Sequence, residues 1–92
     1  MIKSFLHKGL ESYFRTGSKA GIQPHHAVKL RIQLSALDKA KGPEDMSAPG
    51  WRCHGLAGGL EGHFSISVNG NWRLTFGFEE GDAILVDYQD YH

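Results

Sequence analysis

The sequence is poor in cysteine, in long apolar runs and in net charge, and each scarcity narrows the reading. The lone thiol, Cys53, cannot close an internal disulfide, which points to a reducing compartment. The apolar stretches fall far short of the roughly 20 residues that a bilayer-spanning helix needs. The opening Met1-Ile2-Lys3-Ser4-Phe5-Leu6-His7-Lys8 has neither the continuous apolar segment nor the small-residue cleavage site of a secretory signal. A cytoplasmic protein without a membrane partner is therefore expected. One cysteine and six scattered histidines show no zinc spacing, so neither a metal site nor a cofactor is expected. The glycine-rich stretch Gly55 to Gly62 lacks the lysine and the strand-to-helix setting of a nucleotide-binding loop and reads as a turn. Repeats and low-complexity tracts are missing.

What is present is enough for one domain, residues 1–92, burying about 60 to 65% of the surface of its unfolded chain. The zero net charge hides two unlike halves. Met1 to Lys41 carries eight Lys/Arg against Glu11 and Asp38, a balance of +6; the remainder carries Arg52 and Arg73 against eight acids, a balance of −6. A basic half that faces a polyanion and a set of solvated helix faces are both compatible with that split.

Ile2 to Leu6 reads as a short strand. Leu10, Tyr13 and Phe14 at helical spacing predict a helix over about 9–16, closed by Gly17. Pro24 suits a first helical position, and Ala27, Leu30, Leu34 and Leu37 make the buried stripe of a second helix reaching about Lys41. Gly42-Pro43 halts it, leaving a loop with one helical turn near Glu44 to Ser47. A strand is expected near Trp51 to Leu56. Beyond it the period drops to two: Phe64, Ile66 and Val68, then Trp72, Leu74, Phe76 and Phe78, alternate with polar or small residues. Parity decides the turns. Three-residue loops at Asn69-Gly70-Asn71 and Glu80-Gly81-Asp82 oppose Val68 to Trp72, Ile66 to Leu74, Phe64 to Phe76, Phe78 to Ile84, Phe76 to Val86 and Leu74 to Tyr88. The expectation is an α+β domain, a small antiparallel sheet with two N-terminal helices on one face. The same register opposes Arg73 to Gln89 and Asn71 to Tyr91 on the other face.

The sequence closes on Asp90-Tyr91-His92, an acid, a phenol and an imidazole at the end of the last strand. Such groups accept and donate protons, and Arg73 supplies a fixed cation. Attack of a ribose 2′-hydroxyl on its neighbouring phosphate needs a base, donors for the charge gathering on phosphorus, and an acid for the departing 5′-oxygen. DNA has no such internal nucleophile, so RNA is the expected substrate. His54, Arg73, Asp90, Tyr91 and His92 can fill those roles. An ion pair from Arg73 to Asp90, a strand-end packing role for His54 and amphipathic packing of Tyr91 and His92 are the structural alternatives. His25, His26 and His63 read as surface residues.

At several segments the sequence resembles the HigB toxins of the RelE/ParE superfamily. They are Ile2-Lys3-Ser4-Phe5, His7-Lys8-Gly9-Leu10, Arg52-Cys53-His54-Gly55-Leu56, Gly62 to Val68, Asn71-Trp72-Arg73, Phe76 and Asp90-Tyr91-His92. The resemblance implies a RelE-like β-α-α-β-β-β-β fold. It also implies a type II toxin: a metal-independent endoribonuclease that cuts translated mRNA in the ribosomal A site, leaves a 2′,3′-cyclic phosphate and inhibits translation. A helix-turn-helix antitoxin of the HigA kind would neutralise it, with operator DNA bound only through that antitoxin. Carried over by position, His54, Arg73, Asp90, Tyr91 and His92 match the catalytic cluster and Asn71 the RNA groove. Where relatives often carry a lysine this chain has Ala57, which would shift the burden onto Arg73 or mark a variant that binds without cutting. The alternatives are a ParE-like inhibitor of DNA gyrase and an inactive remnant that binds only its antitoxin.

Overall fold

The computed structural model describes residues 1–56 and 62–91. Helix α1 (Lys8–Thr16) starts at His7, whose Nδ1 accepts the Leu10 N–H at 2.9 Å. It ends at Gly17, where a φ of 82° suits a residue without a Cβ. A 3₁₀ turn (Pro24–His26) leads into α2 (Ala27–Lys39), so the expected second helix begins as a tighter turn and stops two residues early. The helical turn expected in the following loop is a 3₁₀ turn, Pro43–Met46.

Among the described residues four strands follow: β1 (His54–Gly55), β2 (His63–Asn69), β3 (Trp72–Glu79) and β4 (Asp82–Asp90). They form one antiparallel sheet in sequence order. Buried side chains from both helices (Leu10, Tyr13, Leu30, Leu34, Leu37) meet Ile66, Val68, Leu74, Phe76, Val86 and Tyr88 of the sheet. The α+β class with helices on one face is as expected. β1 is shorter than the expected strand, although the Ser67 N–H donates to the Trp51 carbonyl and continues the edge irregularly.

Parity holds in the middle of each hairpin and fails near the turns. Phe64 faces Phe76, Ile66 faces Leu74 and Leu74 faces Tyr88 as expected. Asn69, not Val68, pairs with Trp72, and the loop between them is the two-residue Gly70-Asn71, with Gly70 at φ 57°. Val68 is the extra residue, so a β-bulge reconciles a two-residue turn with two apolar sets that must share the core. In the next hairpin Phe78 pairs with Ala83, not Ile84, and the loop is Glu80-Gly81. The shift is absorbed opposite Phe76, where Leu85 takes φ 53° and turns outward while Ala83 and Val86 both stay buried.

That bulge also explains the N-terminus. The expected first strand is present as two isolated parallel bridges to β4, Ile2 to Ala83 and Phe5 to Val86. Both segments advance three residues between bridges, so the two-residue alternation of a regular strand is broken. Ser4 Oγ accepts the N–H of the bulged Leu85 at 2.9 Å. The terminal ammonium and Lys3 hold Asp82, and the hydrogen bond from Lys3, first among the causes, keeps that carboxyl below its ordinary range.

Candidate functional site

Strand register, not sequence proximity, assembles the candidate site. On the face away from the helices, His54, Ser65, Thr75 and Asp87 form one row across the four strands, and Ser67, Arg73 and Gln89 form the next. At the end of the sheet the Tyr91 N–H donates to the Asn71 carbonyl at 2.8 Å, extending the β3–β4 ladder by one bond. Asn71, Arg73 and Tyr91 thus share the outer face, as the alternation predicted. His54 is two strands and two residues from Arg73, about 12 Å between α-carbons at ordinary strand spacing and rise. Arginine and histidine side chains can bracket a phosphate across that span.

Arg73 is half-buried at the β2–β3 turn. Its Nη1 donates to the Gly70 carbonyl at 2.8 Å, the Trp72 carbonyl at 3.2 Å and Ser67 Oγ at 3.4 Å. Among the described residues all these bonds leave one nitrogen, so the fork is oriented by its own turn while Nε and Nη2 keep donors for an anion. His54 is exposed, and its Nδ1 lies 2.9 Å from the Arg52 carbonyl. A carbonyl only accepts, so Nδ1 donates the proton of this bond, and in the neutral ring Nε2 is left as an acceptor.

Asp90 pairs with Trp72 and so belongs to the helix-facing side of the ladder, unlike its neighbour Tyr91. Beyond the bulge at Leu85, β4 is regular from Asp87 to Asp90, which is why the alternation persists to the strand's end. His92 and Ala57 lie outside the described residues. Among the described residues no three His, Cys, Asp or Glu side chains are grouped to hold a metal ion. No helix among them is long and apolar enough to cross a membrane.

Sequence reasoning missed the polar floor of this face. Gln89 Nε2 donates to Asp87 Oδ2 at 2.9 Å and to Thr75 Oγ1 at 3.4 Å, beside Arg73. Ser65 is fully buried there with its hydroxyl unpaired among the described residues. The period-two pattern does contain these positions as the polar alternates, but their mutual contacts need the register. His26 was misread as a surface residue. It is 1% exposed, packed beneath the site against Trp72 and Tyr88. His25 is exposed, and the ring of His63 lies over Gly77, where a Cβ would sit 3.0 Å from it.

A helix-backed antiparallel sheet carrying an arginine and a closing phenol on its open face is the setting in which the comparisons with known proteins fall. Residues 3–92 match the family model described as the RelE-like toxin of the type II toxin-antitoxin system HigB. The chain is 40% identical, over the full length of both proteins, to "Endoribonuclease HigB" of Proteus vulgaris. It is 34% identical to "Toxin HigB-1" of Vibrio cholerae serotype O1, covering all of this chain and 98% of that one. The chain belongs to the HigB-like family of RelE-like toxins. Membership in a type II toxin-antitoxin family brings with it an antitoxin partner.

Proposed function

We propose that this toxin is a metal-independent endoribonuclease that cuts mRNA during translation, in the ribosomal A site, and that a HigA-like helix-turn-helix antitoxin restrains it in the cytoplasm. The observation that carries the reading is the placement of Arg73, Asn71 and Tyr91 on one sheet face, in a chain 40% identical to a protein named an endoribonuclease. In this reading residues 1–92 act as one domain.

The reaction is internal transesterification. A base removes the 2′-hydroxyl proton, the oxygen attacks phosphorus, and the 5′-oxygen leaves with a proton from an acid, giving a 2′,3′-cyclic phosphate and a 5′-hydroxyl with no added water or metal. Tyr91 shares Arg73's face and is better placed than Asp90 to take the 2′ proton. Arg73 neutralises the phosphorane through its uncommitted donors, and His54 assists in its imidazolium form, in which Nε2 also carries a proton to donate. His92 protonates the leaving oxygen, and Asn71 lines the RNA groove beside Arg73.

Inducing the chain in cells and mapping new mRNA 5′ ends tests this. Ends within translated codons that carry 5′-hydroxyls, and that vanish with Arg73→Ala, are expected. Growth arrest with intact messages and inhibited DNA gyrase would instead establish the ParE-like activity. A harmless chain that still captures its antitoxin would establish a remnant.

A further inference from the structure

The helix-facing side of the β3–β4 end holds a cluster that neither the fold nor the proposed reaction accounts for. Trp72 and Tyr88 stack with ring centroids 4.5 Å apart and an interplanar angle of 29°. Trp72 lies between Asn71 and Arg73 in sequence, and Tyr88 lies two residues before Asp90. The alternation of a strand therefore places this stack directly beneath the outer-face groups. His26 closes the cluster: its Nδ1 is 2.5 Å from the Tyr88 hydroxyl oxygen, and its ring sits edge-on to Trp72 at 5.6 Å. The same hydroxyl accepts the Gln23 N–H at 3.4 Å.

The histidine reaches this position through an unusual crossing. The backbone of Gly21 passes against that of Gly9 at the start of α1, so closely that a Cβ on Gly21 would lie 2.4 Å from the Gly9 α-carbon. Only a pair of glycines permits that approach. It delivers Gln23 and the Pro24–His26 turn onto Tyr88.

We propose that His26 is a positioning residue: through the Tyr88 hydroxyl it holds the strand ends that present Asn71, Arg73 and Tyr91. For its catalytic consequence the inference rests on the ribonuclease reading. With Gln23 already donating to the phenol oxygen, the phenol proton goes to neutral His26 Nδ1. A protonated His26 would turn a second donor on that oxygen and leave the phenol proton without its acceptor. Other ionisable groups facing the cluster are His25, whose ring is 4.2 Å from His26, and His7, whose ring packs edge-on to Tyr88 at 5.4 Å; Asp90 acts on the phenol from the strand end. Burial, then the charge of His25, keeps His26 below the ordinary histidine range, and burial raises the Tyr88 phenol, with Gln23 opposing and Asp90 adding. The neutral arrangement therefore prevails at neutral pH, and acid undoes it.

The test uses the full chain and compares wild type with His26→Gln, which retains a side-chain acceptor without titrating, with His26→Leu, and with Tyr88→Phe. Histidine titration by NMR is followed together with the backbone amides of Arg73 and Tyr91. Single-turnover cleavage of ribosome-bound mRNA is measured from about pH 5 to pH 8. The Arg73 and Tyr91 amides should shift with the His26 midpoint. His26→Leu and Tyr88→Phe should lose about tenfold or more in maximal rate with little change in half-saturation, as expected for misplaced groups. His26→Gln should keep most of the neutral rate and lose part of the acid-side decline. Amides blind to His26, or a leucine variant equal to wild type at every pH, would overturn the positioning role. Loss of rate that only follows the unfolded fraction would overturn it too. Wild type that cleaves nothing, with amides that still track His26, would sink the ribonuclease reading and support the mechanical link.

Discussion

The two faces of the sheet are built from the same strands and do opposite work. The helix-facing side is nearly continuous hydrocarbon and aromatic surface, with Ile66, Leu74, Phe76 and Val86 fully buried. Among its few polar groups is the fully buried Gln33, whose Nε2 donates to the Ser67 carbonyl at 2.8 Å while its Oε1 has no hydrogen-bond partner among the described residues. The outer side is polar, half-open and tethered by short side-chain bonds around Arg73 and Gln89. The difference separates the positions that stabilise the fold from those of the proposed site by residue parity. Substitutions one position apart on β3 should damage different properties.

Phe76→Ala offers the largest contrast. It empties a fully buried site and is expected to cost about 3 to 5 kcal/mol, a large share of the stability of a domain this size, read from urea unfolding. Arg73→Ala, three residues away on the opposite face, should reduce cleavage by about 10²- to 10³-fold while changing unfolding by about 1 kcal/mol or less. If Arg73→Ala unfolded the protein instead, the division of labour between the faces would be broken.

Gly21→Ala probes how the core side supports the outer one. Its methyl group meets the Gly9 backbone, so a loss of about 1 to 3 kcal/mol is expected, again by denaturant titration. Unchanged stability would show that the crossing yields at little cost. The buried His26 adds a pH signature. Its lowered pKa means the unfolded chain binds the proton more readily, so stability is complete above about pH 6.5 and declines as the pH falls below it toward the folded value. His26→Gln should flatten that limb of a melting-temperature profile. The smallest effect is expected at the bulge. Leu85→Asn, placing a residue tolerant of φ 53° at a partly exposed position, should stabilise by a few tenths of a kcal/mol up to about 1 kcal/mol, seen as a small rise in melting temperature.

Much of the proposed site was legible because its residues sit where alternation is strong. Phe64 to Val68 and Trp72 to Phe78 mark the buried face, and once Leu74 is set opposite Ile66 and Tyr88, the place of Arg73 follows. The turns were less legible. A two-residue loop plus a bulge and a three-residue loop satisfy the same parity, and only the hydrogen-bond geometry around Val68 and Leu85 distinguishes them. His26 was hidden for a different reason. Nothing in Pro24-His25-His26 says which imidazole turns inward, since that depends on Gly21 crossing Gly9 and on a phenol 62 residues away.

The sequence by itself determined the helix faces, the alternating strands and the side of the sheet on which Arg73 and Tyr91 stand, because these follow from the local periods of the backbone. Tertiary structure alone decided the bulged register, the parallel seating of the N-terminus beside β4 and the burial of His26. Those features arise where segments distant in sequence compete for the same hydrogen bonds and the same space, and local periodicity carries no record of that contest.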